Sequence, residues 1–191
     1  MNSTPGDFNA AYLRVAKMTK HVDIFSKKVL FIPVNDHSHW VLLMICNPGL
    51  FSNEETPPYA VIFDSIRGNV RTKRVLKTIR LYLQEEWKAT RQDVDDIAKP
   101  ITAKSLPGFA PRVPPQRNQC DCGVFLVEYF ERLLCTHLES VLNIVDTAES
   151  VSKATSVFNS EFGIKWFGDA DIARRRYDLF RFLSELKNGF N

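Results

Sequence analysis

The chain has 191 residues, 45% apolar and 25% charged, with 14 Phe, 5 Tyr and 3 Trp, enough large side chains for one compact domain and too many for wholesale disorder. A net charge of +3 gives no argument for nucleic acid and would not repel an acidic protein partner. Four cysteines are too few for a disulfide scaffold and suit a reducing compartment; no secretory leader pattern opens the sequence, and its longest strongly apolar run, 40–46, is far too short to cross a bilayer.

Residues 1–7 read as a loose lead-in and 8–18 as a short helix. The apolar runs 28–35 (KVLFIPVN) and 40–46 (WVLLMIC) read as strands, joined by a polar, hairpin-like turn over Asp36, His37, Ser38 and His39. Asn47, Pro48 and Gly49 end the second strand, and a loop runs on to Pro58. A third strand, 59–64 (YAVIFD), ends on a carboxylate. Val75, Leu76, Ile79, Tyr82, Leu83 and Trp87 recur at spacings of three and four, which predicts an amphipathic helix over 71–87.

From 88 to 119 the chain is rich in Pro, Asp and Lys, a long structureless stretch of the kind that is often functional, with room for one short strand near Val113. A second long helix is expected from Asp121 or Cys122 to about His137, with Val124, Phe125, Val127, Phe130, Leu133 and Leu134 on its apolar face. A last helix over 171–186 would turn Ile172, Tyr177, Leu179, Phe180, Leu183 and Leu186 inward and leave Arg174, Arg175 and Arg176 on a solvated face. Few strands packed between helices make an α+β domain.

The chemistry gathers where 114–123 (PPQRNQCDCG) runs into the second helix. A cysteine in a first helical turn meets unpaired N–H groups and the positive end of the macrodipole, and both favour thiolate. Cys122 is thus either a nucleophile or a small buried residue. Asp121 is a good N-cap, although its charge opposes the thiolate. Gly123 allows a substrate backbone to come close, and Gln116, with the backbone N–H of Cys122, has the donors for an oxyanion hole.

Cys120, Cys122, Cys135 and His137 also read as C-x-C followed by C-x-H, but about 20 Å of helix would part the two pairs. A shared metal is therefore not expected, and Cys135 and His137 read as core and surface residues. For a general base, His37 and His39 both lie where the first strand pair turns over. Alternation puts them on the same face and does not choose between them. Asp64 can orient an imidazole or serve as a turn residue.

Taken in order, Phe31-Ile32-Pro33-Val34-Asn35 before His39-Trp40, then Phe63-Asp64-Ser65-Ile66-Arg67-Gly68, then Gln116 six residues before Cys122-Gly123, resemble the Ulp/SENP family of SUMO-specific cysteine proteases. The Asp-Ser-Ile-Arg-Gly run and Trp166-Phe167 before a basic final helix look like the branch that trims poly-SUMO chains. The resemblance implies a papain-like α+β fold with a small mixed sheet, and a SUMO-deconjugating isopeptidase acting after the Gly-Gly tail. It makes Cys122 the nucleophile, His39 the base, Asp64 its orienting carboxylate, Gln116 the oxyanion donor and Trp40 a wall of the tunnel for that tail. It implies no metal or organic cofactor, SUMO and SUMO conjugates as partners, no nucleic acid or membrane, a monomer, and a nuclear location with a cytoplasmic pool. The family's catalytic domain normally starts further upstream, so residues 1–191 are expected to be a single domain shortened at its front. A silent SUMO-binding module, or a protease for another diglycine-tailed modifier such as NEDD8, are the alternatives.

Overall fold

The computed structural model describes residues 5–51, 57–91 and 100–189. Helix α1 (Pro5–Thr19) leads, through a single 3₁₀ turn at Ile24–Ser26, to a hairpin of β1 (Val29–Asp36) and β2 (His39–Cys46). The hairpin turn is tighter than expected. Only His37 and Ser38 lie in it, at φ of 52° and 62°, the paired left-handed conformation whose twist matches the flanking strands. Neither is a glycine, so the turn is strained. A hydrogen bond of 2.9 Å between the His37 ring and the Asp36 carboxylate helps to hold it.

Strand β3 (Tyr59–Phe63) adds antiparallel to β2, with Leu42 opposite Phe63 and Cys46 opposite Tyr59. Helix α2 (Asn69–Thr90) follows, three residues longer at its end than the periodicity indicated. The short strand β4 (Gly108–Phe109) then pairs parallel to β3. The expected strand at Val113 is not formed: Val113 is buried, but Pro111, Pro114 and Pro115 around it carry no N–H for a ladder. The pairing sits instead at Gly108. A Cβ there would fall 2.5 Å from Leu76 Cδ2 and 3.2 Å from the Ala60 carbonyl oxygen, so the close approach of β4 to β3 under α2 requires glycine. Of the loops, residues 52–56 and 92–99 lie outside the described part, as do residues 1–4 of the lead-in.

The sheet order is β1-β2-β3-β4, and its two faces explain why 40–46 and 59–63 read as unbroken apolar runs. Val41, Leu43, Ile45, Ala60 and Ile62 pack against Val75, Leu76, Ile79 and Leu83 of α2. Leu42, Met44, Cys46, Tyr59, Val61 and Phe63 pack against the helices that follow β4. A strand covered on both sides loses the alternation that marks a half-exposed one.

The second layer begins with α3 (Cys122–Glu131), which continues as a π-helical turn (Arg132–Thr136) before breaking at His137. Phe125 and Leu133 of the expected apolar face are buried, whereas Phe130 is 39% exposed. Cys135 is exposed and His137 is half-buried, with the Trp166 indole donating to its Nε2 at 3.2 Å. This reverses the expected core and surface roles of the two. Helices α4 (Leu138–Thr147) and α5 (Val151–Glu161) complete this layer.

The last helix, α6 (Asp169–Gly189), departs most from expectation. Ile172 is buried and Leu179 half-buried, but Tyr177, Phe180, Leu183 and Leu186 are exposed, Phe180 by 69%. Only the first two turns of α6 reach the core. The arginine triplet is not a plain solvated face either. Arg175 ion-pairs with the fully buried Glu128 at 2.8 Å and with Glu131 at 2.5 Å, and Arg132 closes the cluster onto Glu128 and Asp171. A carboxylate buried as deeply as Glu128 is tolerated because two guanidinium groups share it. The whole is an α+β architecture, one mixed sheet between helical layers.

Candidate active site

The site forms where the start of β2, the end of β3 and the start of α3 meet. Strand parity separates the first two residues of β2. By strand parity His39 falls on the side of Val41 and Leu43, and Trp40 on the side of Leu42 and Met44.

His39 is buried, and its Nε2 lies 2.8 Å from Asp64 Oδ1, just past the end of β3. A carboxylate only accepts, so His39 Nε2 carries the proton and donates it. That leaves the lone pair of the neutral ring on Nδ1, free to take a proton from a thiol. His37 is displaced into the turn with its side chain 78% exposed. Thus the turn, not the alternation, separates the two histidines.

Asp64 is itself fixed on all sides. Its Oδ1 also accepts from the Ile66 backbone N–H at 2.8 Å, and its Oδ2 accepts from Arg71 Nη1 at 2.8 Å. Arg71 sits in the first turns of α2 and donates from the same nitrogen to the Ile66 carbonyl at 2.8 Å. Arg71 was not evident from the sequence. Its one signal was a cation near the start of a helix that begins five residues after a strand-end carboxylate, a pattern too common to single out. Beyond it lies Asp36, with Arg71 Nε 3.9 Å away and Arg74 bound to it directly. The Arg74 hydrogen bonds hold the Asp36 carboxyl below its usual range, outweighing burial.

Gln116 is brought beside Asp64 through Ser65. Its backbone N–H donates to the Ser65 carbonyl at 3.0 Å, and its Oε1 accepts from Ser65 Oγ at 2.5 Å. Its Nε2 donates one hydrogen to the Asn118 carbonyl at 2.5 Å, which leaves the second for a ligand. The preceding segment is tied down by the Tyr129 phenol, which donates to the Pro114 carbonyl at 2.9 Å.

Cys122 is the first residue of α3 and is buried. The approach to it is an Asn-centred turn, in which Asn118 Oδ1 accepts from the backbone N–H groups of Cys120 and Asp121 at 3.1 and 3.0 Å. Asp121 does not cap α3 through its side chain as expected. Its carboxylate is drawn away by Arg176 of α6 and by the Asn118 amide at 2.7 Å. Burial works to raise the Asp121 carboxyl, but those hydrogen bonds and the Arg176 charge bring it below the usual range. A Cβ added at Gly123 would lie 3.8 Å from Trp40 Cδ1. The start of α3 therefore abuts the residue next to His39, and Trp40 itself is 42% exposed.

A sharply bound His–Asp pair, a first-turn cysteine and an anchored glutamine amide are the parts of a thiol hydrolase. Among the described residues no group of three or more His, Cys, Asp or Glu is placed to hold a metal ion.

The chain is similar to known proteins of one family. The family described as "Ulp1 protease family, C-terminal catalytic domain" matches residues 3–162, a span that stops short of α6. "Probable ubiquitin-like-specific protease 2B" of Arabidopsis thaliana is 33% identical over 193 residues, covering 96% of this chain and 19% of the relative. "Sentrin-specific protease 7" of Homo sapiens is 26% identical over 172 residues, covering 62% and 16%. The chain spans about a fifth of the length of the curated relatives it matches. A solved structure described as a "de-sumoylating protease" superposes with a TM-score of 0.63 at 22% identity, over 95% of this chain and 69% of that one. It shares the fold.

Proposed function

This chain belongs to the Ulp1 protease family of cysteine peptidases, and we propose from that premise that it removes SUMO from conjugates by hydrolysing the bond after the Gly-Gly tail, and that it acts on poly-SUMO chains. The observation that carries the reading is the buried His39–Asp64 pair at 2.8 Å, set beside the helix that Cys122 opens. A relative named for sentrin, and a structural neighbour described as de-sumoylating, support the choice of modifier.

In this mechanism the Cys122 sulfur gives its proton to His39 Nδ1 and attacks the carbonyl carbon of the terminal glycine. The carbonyl becomes an oxyanion, held by the free Gln116 N–H and the backbone N–H of Cys122. Asp64 keeps the His39 proton on Nε2 and stabilises the imidazolium. His39 then returns the proton to the departing lysine amine as the C–N bond breaks, leaving a thioester. Water, deprotonated by His39, cleaves the thioester and releases SUMO and the thiol. Trp40 walls the tunnel for the Gly-Gly tail, and a diglycine is the slimmest peptide an aromatic-walled slot can admit. The same proposal has the protein working as a monomer, without nucleic acid, in the nucleus and in a cytoplasmic pool.

The test is a panel of diglycine-tailed probes carrying a C-terminal electrophile. A SUMO probe should label Cys122, and Cys122→Ser should abolish both labelling and turnover. His39→Ala should be nearly as damaging, and His37→Ala much less so. Labelling by a NEDD8 or ubiquitin probe in preference to SUMO overturns the choice of modifier. SUMO binding without labelling overturns the enzymatic reading in favour of a binding module.

A further inference from the structure

Asp121 lies directly before Cys122, and its position creates an electrostatic problem. A carboxylate adjacent to a thiol opposes ionisation of that thiol, and here it is buried, where screening by solvent is weak. It does not earn its place as a helix cap, since its side chain bonds no N–H of α3. What it does bind is Arg176, which reaches across from α6, 55 residues later in the chain.

We propose that Arg176 is a positioning residue for the nucleophile: by holding the Asp121 carboxylate away from the start of α3 and neutralising it, Arg176 favours the Cys122 thiolate. Helix α6 is docked for this task by its neighbouring residues. Arg175 binds the buried Glu128 and the more exposed Glu131 of α3, and Asp171 binds Arg132 at 2.9 Å. These contacts set α6 against α3 and deliver Arg176 to the loop end. The site thus draws on an element that contributes none of its reacting groups.

Charged and titratable groups on the elements that meet at the start of α3 set the background for the effect. His39 comes from β2, with Asp64 and Arg71 behind it. Cys120 and Arg117 come from the approaching loop, Arg117 pairing with Asp169 at 3.1 Å. Glu128, further along α3, is shared by Arg132 and Arg175. Arg67, after β3, acts on Tyr129 of α3, and the Asp121–Arg176 pair lies at the start of that helix.

The inference rests on Cys122 as nucleophile, and the test separates the two ideas. Iodoacetamide alkylation of the whole chain is followed from pH 5 to 9, with fragment-ion mass spectrometry assigning each adduct to Cys122 or to the exposed Cys120 and Cys135. Arg176 is half-exposed, so Arg176→Gln should move the Cys122 midpoint upward by about half a pH unit, or about threefold in rate below the midpoint. Arg176→Lys should stay near wild type. Asp121→Asn breaks the same contact but removes the opposing charge, so its midpoint should stay or fall, and the Asp121→Asn/Arg176→Gln double variant should return to the wild-type value. If Arg176 merely fastens α6, Arg176→Gln and Asp121→Asn will shift alike, which overturns the proposal, as does an unshifted Arg176→Gln. Should Arg176→Gln not fold, the direction of the Asp121→Asn shift decides. Wild-type Cys122 reacting no faster than Cys120 at pH 6 overturns the nucleophile assignment, and this inference with it.

Discussion

Replacing Asp64 by Asn tests the site at its most constrained point. The carboxylate accepts from His39 Nε2, the Ile66 N–H and Arg71 Nη1, all at 2.8 Å. Asparagine keeps the shape but offers one acceptor where two are used. Neither Arg71 nor the Ile66 N–H can give up its hydrogen, but the charged guanidinium is the stronger donor, so the amide oxygen turns to Arg71 and the NH₂ faces His39 and the Ile66 N–H. That NH₂ needs an acceptor, which draws the neutral imidazole into the tautomer with its proton on Nδ1 and leaves no lone pair toward the thiol. Loss of the correct tautomer costs on the order of 10³- to 10⁴-fold in turnover, about 4–5.5 kcal/mol of transition-state stabilisation. Trp40 is untouched, so KM should stay within about threefold of wild type. Losing a charge-assisted hydrogen bond should also lower stability by about 1–3 kcal/mol, a few degrees in Tm for a chain of this size. Steady-state hydrolysis of SUMO bearing a C-terminal fluorogenic amide, with a thermal melt on the same sample, reads all three. A fall in kcat of less than tenfold, or a KM that rises in step with it, would refute the tautomer argument.

Arg71→Gln should lower kcat by about tenfold with little change in KM, and Arg71→Lys should recover only part of it, because one ammonium does not reproduce the guanidinium fork held by Asp64 and the Ile66 carbonyl; steady-state kinetics on the same substrate decide this. The carboxyls of Asp36, Asp121 and Asp171 are all held below their ordinary value of 3.8, by Arg74, by Arg176 with Asn118, and by the Gly168 N–H with Arg132 respectively. Folded-state depression means that the stabilisation is complete above that ordinary value and is lost as protons are taken up below it. Urea midpoints should therefore be level from pH 5 to 7 and fall below about pH 4, and Asp36→Asn should reduce the slope of that fall. A Cβ at Gly49 would lie 2.2 Å from the Phe25 carbonyl oxygen, backbone that cannot swing aside, so Gly49→Ala should cost about 1–3 kcal/mol in a denaturant melt. Burial pushes the Cys46 thiol up to about 12, so native Cys46 should resist alkylation at pH 8 and react at once in urea.

Strands β1, β2 and β3 and the helices α2 and α3 were legible because their apolar runs and periodicities are local properties of the chain, whereas β4 at Gly108–Phe109 carries no such run. The order of His, Asp, Gln and Cys was legible in the same way, as spacing along one line. Helices α4 and α5 went unread, although Val141, Ile144 and Val145 recur at helical spacing and Ser150 caps the Lys153 N–H at 3.2 Å. What no local pattern decided was which histidine enters the site. Alternation treated His37 and His39 alike until a two-residue turn put the first at φ 52° in solvent and returned the second to the strand beside Asp64. The exposed half of α6 was equally hidden, because periodicity reveals that a helix has an apolar face but not whether the fold supplies anything to cover it. The contacts that fix the charges, Arg71 on Asp64 and Arg176 on Asp121, join residues 7 and 55 positions apart. A surface arginine and a site arginine are the same letter in a sequence, and only the packing of α2 and α6 against the sheet and α3 selects a carboxylate for each to bind.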